Sequence, residues 1–107
     1  DGMPKDYGQA IKWYRAAAVQ GYAPAQYNLG VMYLEGNGLP KPDLVAAYGL
    51  LRPLVEQGNA SAITTMKDLS PKMSEAQIQQ GQNLAAKIRE KNRLNAALDE
   101  YEKVASR

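Results

Sequence analysis

The chain is 107 residues long and 45% hydrophobic, with 13 basic residues, 11 acidic residues and a net charge of +2. That length holds one domain, the apolar fraction excludes a disordered chain, and no apolar run is long enough to cross a bilayer. It has neither Cys nor His, which removes disulfides, thiolate chemistry, the usual general base near neutral pH and the commonest metal ligand.

Gly2 and Pro4 punctuate an opening loop with no signal-like apolar segment, so any targeting segment was removed or lies outside these residues. Asp6 is placed to cap a first helix over Tyr7 to Gln20, where Ala10, Trp13, Tyr14, Ala17 and Ala18 share a face. Gly21 supplies a left-handed stop, and Pro24 opens a second helix running to Glu35 with Ala25, Leu29, Met32 and Tyr33 inward. Gly30, in its middle, costs roughly 1 kcal/mol of helix propensity, which points to a neighbouring helix at close range. A loop from Gly36 to Pro42 leads to a third helix, capped by Asp43 and stopped by Gly58, whose Pro53 is expected to cost a hydrogen bond and kink the last turn. A short fourth helix, about Ala60 to Asp68, is broken by Ser70 and Pro71. Ser74 and Gln77 form a capping box, and the periodicity beyond it predicts one long helix to about Ala105, with a kink or break near Asn92.

These elements repeat. Ala10, Gln20, Gly21, Ala23 and Ala25 recur as Ala47, Gln57, Gly58, Ala60 and Ala62, every pair 37 residues apart. A period of this length with small residues at fixed offsets signals stacked helical hairpins. The run Ala10-x-x-Trp13-Tyr14-x-x-Ala17-Ala18-x-Gln20-Gly21, continued by Ala25-x-x-x-Leu29-Gly30-x-x-Tyr33-x-x-Gly36-x-Gly38, resembles the Sel-one-like repeat. The second copy is degenerate, with Leu50, Leu51, Leu54 and Val55 in place of Trp, Tyr and two Ala. The segment from Leu69 to Ile88 resembles the terminal helix that caps such arrays, and residues 89–107 have no counterpart. The resemblance implies an all-α, tetratricopeptide-type solenoid of antiparallel helix pairs, about two repeats with a long C-terminal capping helix. It divides the chain into a solenoid with its cap over 1–88 and a helical extension over 89–107. It also implies non-catalytic binding of a protein partner as a scaffold or adaptor. A periplasmic or exported location is favoured over the cytoplasm, which stays open.

Within that frame Trp13 and Tyr14 are expected in the core, and Tyr33 between helix pairs with its hydroxyl partnered. Ile11, Arg15 and Val19 line a second face of the first helix; 37 residues on stand Tyr48, Arg52 and Glu56. Tyr and Arg are enriched at interaction hot spots, and the resemblance implies that these helices line the concave groove. Ile11, Arg15, Val19, Tyr48 and Arg52 are therefore the candidate partner-binding residues, set against simple packing of Ile11 and Val19 on a preceding repeat. The C-terminal stripe Leu94, Leu98, Tyr101 and Val104 either folds back over the solenoid or pairs with a second copy as a homo-oligomer interface, and the second reading is preferred because exposed apolar stripes mark interfaces.

No catalytic, cofactor or metal set emerges. Ser61, Ser70, Ser74 and Ser106 have no His to activate them, Gly36-x-Gly38 lacks the third glycine of a nucleotide fingerprint, and the acidic residues lack metal-loop spacing. The basic run Lys87, Arg89, Lys91 and Arg93 is interrupted by Glu90 and has no aromatic interleaving, so nucleic acid is not expected as a partner, and without a bilayer-length apolar run neither is a membrane.

Overall fold

A computed structural model describes residues 6–90 and 94–105. These residues form six α-helices: α1 (Tyr7–Val19), α2 (Ala23–Glu35), α3 (Leu44–Glu56), α4 (Ala60–Leu69), α5 (Glu75–Arg89) and α6 (Leu94–Ala105). They make an all-α stack of helix pairs, as the repeat predicts.

Local chemistry accounts for the boundaries. Asp6, Asp43 and Asn59 each accept a hydrogen bond from a backbone N–H three residues on, filling an orphan donor of the first turn. Ser74 and Gln77 make both bonds of the capping box. At the end of α1, Gly21 takes φ +90°, and the Tyr22 N–H reaches the Ala17 carbonyl at 3.1 Å. At the end of α3, Gly58 takes φ +84°, and the Asn59 N–H reaches the Leu54 carbonyl at 2.9 Å. The same glycine-dependent closure thus recurs at the sequence period. Helix α3 continues through Pro53 to Glu56.

The single long C-terminal helix is corrected to two. Helix α5 ends at Arg89, and Glu90 turns out of helical geometry with ψ 146°. The expected kink at Asn92 lies outside the described residues.

Helix α3 is the centre of the core. Val45 to Leu51 are all buried, together with Leu54, because α2, α4 and α5 each pack against it. Small residues let them come close. A Cβ on Gly30 would sit 2.9 Å from Leu51 Cδ2, and one on Gly81 would sit 2.5 Å from Tyr48 Cδ1. Arg89 locks the far end of α5 to α3 by a paired contact, 2.6 Å from each Glu56 carboxylate oxygen.

Trp13 departs from expectation: it is 69% exposed, whereas Leu50, its mate one repeat on, is fully buried. Stacked repeats bury each other's faces. Leu50 lies under α2, and among the described residues no helix stands in the equivalent position over Trp13. Tyr14 is partly covered and packs against the core.

The last helix, α6, turns back onto α5 and α1. The radius of gyration is 13.0 Å, close to the ~13 Å of a globule of about 100 residues.

Candidate functional site

Arg15 sits on α1 one turn beyond Ile11 and keeps only 17% of its side chain exposed. Its Nη1 donates to Asp99 Oδ1 at 2.7 Å, and its Nη2 donates to Glu102 Oε1 at 2.9 Å. Both carboxylates belong to α6, three residues apart and so on one face of that helix. From α2, the buried Tyr33 hydroxyl donates to the other oxygen of Glu102 at 2.5 Å and lies 3.5 Å from Arg15 Nη2. A second junction lies beside it: the Tyr101 hydroxyl reaches both oxygens of Asp43, at 2.7 and 2.9 Å, while Asp43 still caps α3. The apolar side of α6 is a helical stripe: Leu94 (3% exposed), Ala97 (4%) and Leu98 (0%).

The charges are complementary along whole helices. Helix α1 carries Lys12 and Arg15 and no acidic residue, whereas residues 94–105 carry Asp99, Glu100 and Glu102 against one lysine. Burial raises the Tyr33 hydroxyl to about 12, with Glu102 adding to the rise and Arg15 opposing it. Burial and then Asp43 likewise raise Tyr101. For Arg15 burial disfavours the charge, but its bonds to Tyr33 and Asp99 prevail and hold its pKa above the usual value. Arg15 remains a cation and the two tyrosines remain neutral across the physiological range. A general acid or base needs a pKa near the working pH, so this cluster suits recognition of fixed charge. Among the described residues no group of acidic side chains could hold a metal, and no helix is long and apolar enough to cross a membrane.

Of the clefts along α6, two share Tyr33, Leu39 and Glu102 in their lining. One, about 330 Å³, also has Ile11, Lys12 and Arg15 on its wall. The other, about 720 Å³, lies against the Pro40–Val45 segment, Gln77 and Tyr101.

The sequence-derived strip is only partly assembled. Ile11 and Arg15 lie together in the site, and Val19, further along α1, packs against the core. Tyr48 is 4% exposed, between α3 and Gly81 of α5, so it offers no surface to a partner. Arg52 lies in a different place, paired to Glu56 beside Arg89. In the C-terminal stripe, Leu94 and Leu98 are buried within the chain and Tyr101 bonds to Asp43, while Val104 remains 61% exposed. The stripe has an intramolecular home because α6 packs on α5 and α1 and its apolar side joins the core. Sequence reasoning missed Asp43 as a receiver of Tyr101, and Asp99 and Glu102 altogether. Their spacing beside an apolar stripe is the signal that could have found the last two.

The Sel1 repeat family model matches residues 1–22 and 23–59. An uncharacterised protein of Neisseria meningitidis serogroup B is 37% identical over 68 residues, 64% of this chain. The chain spans only 14% of that relative's length. No solved structure matches.

Proposed function

Because the chain belongs to the Sel1 repeat family, whose repeats are generally non-catalytic protein–protein interaction modules, we propose that it is a scaffold or adaptor module that docks a partner helix or peptide on the α1–α2 face centred on Arg15 and Ile11. The observation that carries this reading is the seat of α6. A helix from outside the matched repeats packs on α5 and α1 with its apolar stripe buried, and sets Asp99 and Glu102 against Arg15 on this face. That is how an amphipathic helix is received in a groove, with arginine as the charge anchor.

Homo-oligomerisation through the C-terminal helix is the weaker reading, since Leu94 and Leu98 reach a second copy only by leaving their own chain. The test is site-specific photo-crosslinking in the source cell, with the crosslinker at Lys12 beside the site or at Lys67 on α4. A protein adduct specific to position 12 that disappears with Arg15→Glu supports docking on this face. The same adducts from both positions would refute it.

A further inference from the structure

We propose that α6 is an internal stand-in for the partner, and that the partner's docking segment is an acidic amphipathic helix of the same design, which binds by displacing α6. The inference rests on the docking reading above and specifies its ligand: an apolar stripe at helical spacing flanked by two carboxylates three residues apart.

Three observations support it. The first is charge: the receiving helix α1 is purely basic, and the portion of α6 facing Arg15 presents Asp99 and Glu102. The second is the incomplete fit of α6. Arg15 Nε is buried with no hydrogen-bond partner, although a guanidinium can offer two parallel donors to a single carboxylate, as Arg89 does to Glu56. Clefts of about 330 and 720 Å³ remain beside α6, both reaching Glu102. A helix seated slightly differently could fill that donor and more of that space. The third is the attachment of α6: it follows the break at Glu90, and its polar ties to the repeats come from Asp99, Tyr101 and Glu102. Those ties lie on the Arg15 side of α6, while Lys87 of α5 holds Glu100 at 2.6 Å, so α6 leaves Arg15 while it stays tethered to α5 and α3 keeps its neighbours. A tethered helix acts as a competitor at an effective concentration of roughly millimolar, so a free ligand meets the occupied face with reduced apparent affinity.

The probe is a labelled synthetic peptide with the sequence of residues 94–105, titrated into the full chain by fluorescence anisotropy. The wild-type chain should bind it weakly. A chain carrying Asp99→Lys with Glu102→Lys, whose own α6 is disengaged while the face is intact, should bind roughly tenfold tighter or more, the scale of one charge-assisted hydrogen bond. In a chain whose α6 is disengaged by the neutral pair Asp99→Asn with Glu102→Gln, adding Arg15→Glu should abolish binding, and a peptide with lysines at both acidic positions should then bind in its place. Should the double-lysine chain lose helicity, Asp99→Asn with Glu102→Gln removes the charges at nearly constant shape and should show the same gain. No gain in either disengaged chain overturns the stand-in, as does a gain that Arg15→Glu leaves intact. If the peptide fails while the crosslinks at position 12 persist, docking stands and this ligand class is wrong; if both fail, the docking reading falls too.

Discussion

Arg15 and Glu102, 87 residues apart in the chain, meet at 2.9 Å, with the Tyr33 hydroxyl bridging to the second carboxylate oxygen. This contact joins the first repeat helix to α6, and with Arg15–Asp99 and Tyr101–Asp43 it ties the folded-back α6 to the repeats. Asp99 is 68% exposed at the side chain and Glu102 39%, so solvent screens the pairs. Their loss should cost more than the ~0–1 kcal/mol of a surface pair and less than the ~3–5 kcal/mol of a fully buried one. Arg15→Glu is expected to lower stability by about 1–2 kcal/mol in urea unfolding. Arg15→Lys should recover only part of that, because a lysine cannot fork between two carboxylates. An unchanged urea midpoint for Arg15→Glu would contradict this.

Trp13 and Leu50 occupy the same position in successive repeats but differ in burial. As a core residue Trp13 would lose roughly 3–5 kcal/mol on truncation to Ala. With 69% of it exposed, Trp13→Ala should cost less than about 1 kcal/mol, and Leu50→Ala about 2–5 kcal/mol. Equal losses in the two variants would mean that Trp13 is covered in solution.

The α3–α5 contact depends on missing side chains. Ala is the better helix former by about 1 kcal/mol, yet a Cβ at Gly81 would lie 2.5 Å from Tyr48 Cδ1 and 2.8 Å from its Cγ. The base of a buried ring has little room to yield, so Gly81→Ala should destabilise by about 1–3 kcal/mol. A rise in melting temperature would show that the two helices are further apart than described.

Alkaline pH should loosen the α6 junction. Tyr33 is raised from 10.0 to about 12, so between those values the folded chain holds a proton that the unfolded chain releases. Its contribution is complete below pH 10 and is lost as the pH rises through about 12. Phenolate absorbance should therefore show a late-titrating component that Tyr33→Phe diminishes and that Tyr33→Phe with Tyr101→Phe removes. Seven tyrosines titrating as one class near 10 would refute this environment.

What was legible in the sequence was local. Asp6, Asp43 and the Ser74–Gln77 box announce helix starts because each acts within one turn. Gly21 and Gly58 announce stops because left-handed geometry favours glycine. The close approach at Gly30 follows from the cost of placing glycine inside a helix. The spacing of Asp99 and Glu102 beside an apolar stripe marks a polar edge of α6, but that Arg15 is what it meets could not be read, since Asp99 lies 84 residues away. Tyr48 looked like surface because the 37-residue register aligns it with Ile11, yet Gly81 lets α5 press directly onto Tyr48, whereas Ile11 stands on the wall of a cleft beside α6. The stripe from Leu94 suggested a second copy because helical spacing reports an apolar face without saying what meets it.

The most direct measurement is hydrogen exchange of the α6 amides in the full chain and in Arg15→Glu. The fold-back predicts that residues 94–105 are protected in the wild type and lose protection selectively in the variant, with α3 unchanged. Exchange of 94–105 at unfolded-peptide rates in the wild type would contradict it, leaving the Arg15 face without its internal occupant.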